Sequence, residues 1–239
     1  DEVVHMKGSF FGKMPGDNPM KFAGVRVFYT YMLAHPGKKL TFMGAELAQW
    51  NEWHYEYSLD WHLLQYEPHR QTQEFFKAAN AFYLEQPALW EQDDSWQGFQ
   101  WLCADDNQAN TVSFLRWDKE GSPLLVVCNF SPVHRKGYRV GTPFAGMWSA
   151  VLNTDDVSFG GGGLGDQDPV RTEYIPAVPA SSPSASPRRP NRKKTAPPAS
   201  APPSPAPPSG KKRHNRTSFS VCSWSVIRYF PVCAYQSKR

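Results

Sequence analysis

The sequence predicts a chain of two folded parts and a tail. Residues 1–93 read as an α/β segment of about one and a half units of a (β/α)8 TIM barrel, 94–178 as an antiparallel β-sandwich, and 179–239 as a disordered extension rich in Pro, Ser, Lys and Arg. Three observations predict this. Up to Asp93 the apolar residues recur at helical spacing around one short run that is apolar throughout. From Gly98 to Ile175 the chain breaks into short strand-like runs divided by turn clusters. From Pro179 the composition cannot bury enough apolar surface to fold, with 11 of the 22 Pro lying between residues 179 and 208.

Taken in order, Phe22, Val25, Tyr29, Met32 and Leu33 make one apolar face of a helix that Pro36-Gly37 stops. Leu40 to Gly44 reads as a strand apolar on both faces, as a parallel strand covered by helices requires. A second helix is predicted from near His69 to Leu84, with Phe75, Phe76, Ala79, Phe82 and Tyr83 inward. Strands are predicted over Phe99–Cys103, Thr111–Trp117, Leu124–Phe130, Tyr138–Val140 and Met147–Leu152. Asp105-Asp106-Asn107 and Lys119-Glu120-Gly121 supply turns between them. Gly160 to Gly163 is a loop rather than a phosphate cradle, since no Lys-Ser/Thr follows it.

Charge is divided unevenly. Residues 179–239 hold 12 Lys or Arg and no acid, so a formal +4 conceals a body of −8 and a tail of +12. The basic clusters from Arg188 to Lys194 and Lys211 to Arg213 could attract a polyanion through counterion release. No aromatic residue is interleaved among residues 179–218, which disfavours base stacking, so nucleic acid is not the expected partner. No apolar run approaches the ~18 residues that a membrane span needs, and the expected setting is the cytoplasm. Cys103, Cys128, Cys222 and Cys233 show neither a disulfide framework nor a CxxC metal spacing and read as free thiols. His5, His54, His62 and His69 lack the helical i, i+4 pairing of a metal site and are expected to be loop hydrogen-bonders, with no metal bound.

The opening stretch Asp1-Glu2-Val3-Val4-His5-Met6-Lys7-Gly8-Ser9, with Lys13-Met14-Pro15-Gly16-Asp17, resembles the motif that carries the last catalytic carboxylate of the α-amylase superfamily, in the form used by glycogen branching enzymes. The resemblance continues through Pro36 to Glu46, Ser58 to Leu64, Val126 to Val133 and Leu152 to Asp155, covering residues 1 to about 178. It implies the C-terminal end of a catalytic barrel followed by the family's all-β domain. It also implies that Asp1 is the carboxylate that stabilises the transition state, standing at the end of the seventh strand. The nucleophilic Asp and the acid/base Glu have no counterpart in these residues, so the chain alone is expected to be inactive.

The activity implied is that of a 1,4-α-glucan branching enzyme, a glycosyltransferase. It cleaves an α-1,4 bond and passes the segment to a 6-hydroxyl as an α-1,6 branch of glycogen, without cofactor, acting as a monomer. Substrate contacts implied are His5, Lys13, Asp17, Trp50, Trp53 and Trp61. Trp50, Trp53, Tyr55, Tyr57, Trp61 and Tyr66 follow the expected strand and so lie on the loop face, where flat rings suit the CH faces of glucose. The alternative for Trp61 and Tyr66 is that they pack the loop under the sandwich. Pro19 departs from the family, which often carries an aromatic there, and nothing after Ile175-Pro176 matches the Leu-rich strand that closes the family's sandwich. Two other functions fit the same residues: a non-catalytic glucan-binding module, and a hydrolase of the same superfamily.

Overall fold

The structure, a computed structural model, describes residues 5–165 and 168–172 and the backbone strands 215–221 and 224–230. A short helix α1 (Phe10–Lys13) leads into α2 (Asn18–Ala34), and after a long loop the chain forms α3 (Glu67–Glu85). Helix α2 begins because the Asp17 carboxylate accepts from Met20 N at 3.1 Å with Pro19 in the first turn, and it stops at His35 ahead of Pro36. Tertiary packing joins the helices. Phe22, Val25, Tyr29 and Leu33 of α2 meet Phe75, Phe76 and Ala79 of α3 in one buried cluster that also takes in Phe11.

Among the described residues eight strands follow: β1 (Phe99–Asp106), β2 (Thr111–Trp117), β3 (Pro123–Asn129), β4 (Arg135–Thr142), β5 (Met147–Asn153), β6 (Val170–Arg171), β7 (Asn215–Val221) and β8 (Trp224–Phe230). They form an antiparallel six-stranded sheet in the order β1-β2-β3-β8-β5-β6 and a two-stranded sheet of β4 and β7. Alternation along β3 shows how the layers stack. Leu124, Val126 and Cys128 pack with Val27, Ala34 and Leu89 of the helical part, whereas Leu125 and Val127 pack with Val140 of β4 and with Trp148. All seven β3 residues are consequently buried.

The helices and strands β1, β2, β3 and β5 stand close to where the sequence placed them, β4 extends beyond the expected Tyr138–Val140, and two further expectations are corrected. Residues 38–42 belong to no helix or strand, a turn follows at Met43-Gly44, and Ala45–Leu47 is a 3-10 turn, so the strand expected from Leu40 to Gly44 is not formed. A parallel strand needs neighbours for its N–H and C=O groups, residues 5–93 contribute no other strand, and Leu40 lies exposed. The tail expected to be disordered over 179–239 contains β7 and β8, and β8 lies between β3 and β5 where the closing strand was expected to be missing. Asp1, Cys222, Cys233 and the basic clusters at 188–194 and 211–213 lie outside the described residues. Cys103 is half-buried and Cys128 buried.

One polar cluster fastens the helical part to the sheet. Arg116 of β2 is fully buried and donates to the carbonyls of Ala34 (2.7 Å), Leu89 (3.2 Å) and Gly98 (3.1 Å) and to Asp93 Oδ1 (2.7 Å). Asp93 also accepts from Gly37 N at 2.9 Å and faces Lys39 Nζ at 4.0 Å. Lys39 further donates to the His35 carbonyl and lies 5.5 Å from the Tyr83 ring centroid. Two cations thus share one carboxylate.

Burial, opposed by Asp93 and reinforced by Arg116, pushes the Lys39 ammonium down to about 8. The folded state therefore holds this proton less tightly than the unfolded chain, and wild-type stability rises with pH from about 8 toward the ordinary lysine value. A tenfold change in proton affinity is worth about 1.4 kcal/mol. Lys39→Met forfeits the His35 hydrogen bond and the ring contact, so we expect it to stabilise the fold by about 1 kcal/mol at pH 7. The gain should shrink above about pH 8, as the wild type sheds the charge. Paired urea titrations at pH 7 and 9.5 check this; a pH-independent difference would refute it.

Candidate functional site

The turn that follows Asp1 is held by a residue the sequence did not single out. His5 and Met6 have φ of 61° and 64°, a conformation costly for side chains with a Cβ. Glu52 secures it: its two carboxylate oxygens accept from Met6 N at 2.8 Å and Gly8 N at 2.7 Å. The Gly8 bond chiefly, with the Met6 bond and the charges of His5 and Lys13, holds the Glu52 carboxyl below the usual glutamate range. His5 and Lys13, both predicted site residues, therefore act together on Glu52. No local pattern signals this, because Glu52 lies 44 residues from Gly8 in an irregular loop.

Two hollows open in the helical part, and Trp50 lines the larger of them. One, lined by Ser9, Phe10, Phe42, Gly44 and Trp53, offers about 20 Å³, room for a single water. The other offers about 440 Å³ between the first turns of α2 and α3, a size typical of small-molecule sites. Its rings are Phe22, Trp50, Tyr66, His69 and Phe159, and its polar groups include Asn18, Arg26 and Gln71.

The walls of the larger cavity are set by packing and hydrogen bonds. Trp50 stands edge-on to Phe11, ring centroids 4.7 Å apart, with Lys21 Nζ 5.9 Å from its centroid. Lys21 is itself tied to the Gly12 carbonyl at 2.8 Å. His69 is buried, its Nδ1 2.7 Å from the Leu47 carbonyl and its ring T-shaped to Phe22 at 5.0 Å. Arg26 is 3% exposed and donates from Nε to the Thr154 carbonyl at 2.8 Å; burial lowers its proton affinity while Asp155 opposes the shift. Flat apolar faces beside amide and guanidinium donors suit a polyhydroxylated ring.

The structure brings together only some of the predicted residues. Trp50 lines the cavity, and Asp17 lies next to its rim residues Asn18 and Pro19, with one oxygen engaged as the cap of α2. Trp53 faces the smaller hollow, edge-on to Phe42 at 5.7 Å. Trp61 is half exposed in a 3-10 turn (Trp61–Gln65) and touches neither hollow; with Tyr66 also exposed, the alternative that both pack beneath the sandwich is not what is seen. His69 belongs to α3 rather than to a loop, correcting that expectation, while His54 stacks on Tyr55 at 5.0 Å. Arg26, His69 and Phe159 were missed as cavity residues because each reads as helix face or loop until the chain is folded. Among the described residues no group of His, Cys, Asp or Glu is arranged to hold a metal ion, and no helix is long and apolar enough to cross a membrane.

Residues 101–189 match the alpha amylase C-terminal all-beta domain. The 1,4-alpha-glucan branching enzyme GlgB of Pseudomonas fluorescens is 50% identical over 175 residues, 73% of this chain and 24% of that protein. The enzyme of the same name from Aquifex aeolicus is 50% identical over 177 residues, 74% of this chain and 28% of that protein. The chain thus spans about a quarter of the length of these curated relatives. A crystal structure of a pullulanase from Paenibacillus barengoltzii, complexed with maltotetraose, superposes with a TM-score of 0.52 at 14% identity, covering 94% of this chain and 28% of that one, a likeness of fold alone.

Proposed function

As a relative of the 1,4-α-glucan branching enzymes of the α-amylase superfamily, 50% identical to them over some three quarters of its length, this chain is, we propose, the part of such an enzyme that closes the catalytic barrel and carries the all-β domain. In the intact enzyme residues 38–44 would gain the parallel neighbours they lack here, and the Glu52-bound turn would present Asp1 to the sugar. The observation that carries this reading is the cavity of about 440 Å³, lined by Trp50, Tyr66 and Phe22, with Trp50 packed edge-on against Phe11 of the opening segment.

The mechanism follows from retaining glycoside chemistry. Two carboxyl groups about 5 to 5.5 Å apart attack the anomeric carbon and protonate the leaving oxygen, giving a covalent glycosyl-enzyme. Transfer to a 6-hydroxyl instead of water forms the α-1,6 branch. Asp1 would bind sugar hydroxyls and favour the distorted ring, with nucleophile and acid/base supplied by residues beyond this chain. The exposed Tyr55, Tyr57 and Trp61 would extend the glucan surface beyond the cavity. The partner proposed is an α-glucan, glycogen or its linear precursor, the setting the cytoplasm and the intact enzyme a monomer, with no cofactor. Since Asp1 would be the sole catalytic carboxylate here, the chain by itself would act as a non-catalytic glucan-binding module.

Affinity electrophoresis in gels containing glycogen tests the reading. Wild type should be retarded, and Trp50→Ala should bind about tenfold more weakly, equivalent to about 1.4 kcal/mol of lost ring contact. Equal mobility of wild type with and without glycogen would sink it.

A further inference from the structure

The loop that connects β5 to β6 is built around one carboxylate. Asp155 Oδ1 accepts from Gly162 N at 3.0 Å and Oδ2 from Leu164 N at 2.9 Å. The Asp155 carbonyl accepts from Gly163 N at 2.7 Å, and Asp155 N donates to Asn153 Oδ1 at 3.0 Å. The winding is tight enough that a Cβ on Gly161 would lie 2.2 Å from the Asp155 carbonyl carbon. Four glycines in succession, which read in the sequence as an unremarkable loop, are what let the chain close on this side chain.

The same loop reaches the cavity. Asp156 caps the 3-10 turn Val157–Phe159 by accepting from Ser158 N at 2.8 Å, and the turn sets Phe159 edge-on to Phe75 at 5.6 Å. Phe159 and Gly160 then form part of the cavity wall beside α3. Gly160 is pressed against α3: with φ of 76°, a Cβ there would lie 2.5 Å from Gln71 Oε1. On the other side, the Arg26–Thr154 hydrogen bond anchors the start of the loop to α2.

We propose that Asp155 is a positioning residue for saccharide binding, holding the all-β domain's loop as a wall of the cavity so that the two parts of the chain grip one α-glucan together. This rests on the glucan-binding function proposed above. An exposed glycine-rich segment would otherwise lose conformational freedom each time a sugar bound, and two charge-assisted bonds to one carboxylate remove that cost beforehand. The carboxylate is suited to the task because it offers two acceptor oxygens, whereas an amide at the same place offers one.

The test uses the full chain with maltoheptaose, measuring affinity by calorimetry and stability by thermal melting for wild type, Asp155→Asn and Asp155→Ala. We expect affinity to fall about threefold in D155N, which keeps one acceptor, and about tenfold in D155A, which keeps none, with D155N melting with the wild type. Equal affinity in wild type and D155N overturns the proposal even if D155A fails to fold. So does a loss of affinity that simply follows the melting temperature. A wild type that does not bind maltoheptaose fails the glucan-binding function itself and takes this proposal with it, whereas binding unaffected by either variant removes only the role of Asp155.

Discussion

Replacing Arg116 with methionine is expected to destabilise the protein by about 3–5 kcal/mol, since three buried carbonyls lose a donor at about 1–3 kcal/mol each and Asp93, 24% exposed, loses its nearer cation. Methionine fills a similar volume but donates nothing. The carbonyls of Ala34, Leu89 and Gly98 would lose a shared donor inside the protein, and Asp93 would retain only the more distant Lys39 charge. Those three carbonyls come from the end of α2, the turn Pro87–Leu89 and the lead into β1, so the loss falls on the joint between helices and sheet. At this chain size each kcal/mol moves the melting temperature by about 2–4 °C, giving a drop on the order of 10 °C by circular dichroism. Arg116→Lys should fall between, since an ammonium cannot reproduce a fork that reaches four acceptors. A methionine variant melting within about 2 °C of wild type would show that the cluster contributes little.

The second large effect concerns β8. Its backbone pairs with β3 on one side, as Val126 with Val226, and with β5 on the other, as Leu152 with Val226. In a strand with partners on both sides every N–H points to a neighbour, so a proline anywhere along it removes a ladder bond and introduces a clash. We expect Val226→Pro to cost about 3 kcal/mol or more relative to Val226→Ala, which retains the N–H. The edges of β3 and β5 would then be exposed, and association through them should appear as dimers and larger species in size-exclusion chromatography with light scattering. Proline and alanine variants of equal stability and size would mean that β8 does not close the sheet.

The two helices were legible because Phe22, Val25, Tyr29 and Leu33, and Phe75, Phe76 and Ala79, repeat at helical spacing, and Pro36 and Pro87 mark their ends. Strands β2, β3 and β5 were legible from apolar runs bounded by turn residues. Strand β4 was read too short, as Tyr138–Val140 rather than Arg135–Thr142, because Arg135, Lys136 and Gly137 carry no strand signal. Leu40 to Gly44 has the composition of a buried strand, yet composition cannot supply the neighbours that make one.

Of the candidate site, the aromatic run from Trp50 to Tyr66 was visible in the sequence, although the strand expected to precede it at Leu40 to Gly44 is not formed. The cavity was not, because it is formed by Phe22, Trp50, His69 and Phe159, which meet only in the fold.

The sequence by itself determined the helices, most of the sandwich strands and the family relationship, all of which rest on local patterns of residue type. Only the tertiary structure decided that Glu52 pins the turn at Met6, that Arg116 joins helices to sheet, that Asp155 shapes a cavity wall and that β8 completes the sheet. Periodicity reports which face of an element is apolar. A hydrogen bond between Arg116 and Ala34, 82 residues apart, depends on how those faces come together, and no window of sequence contains both.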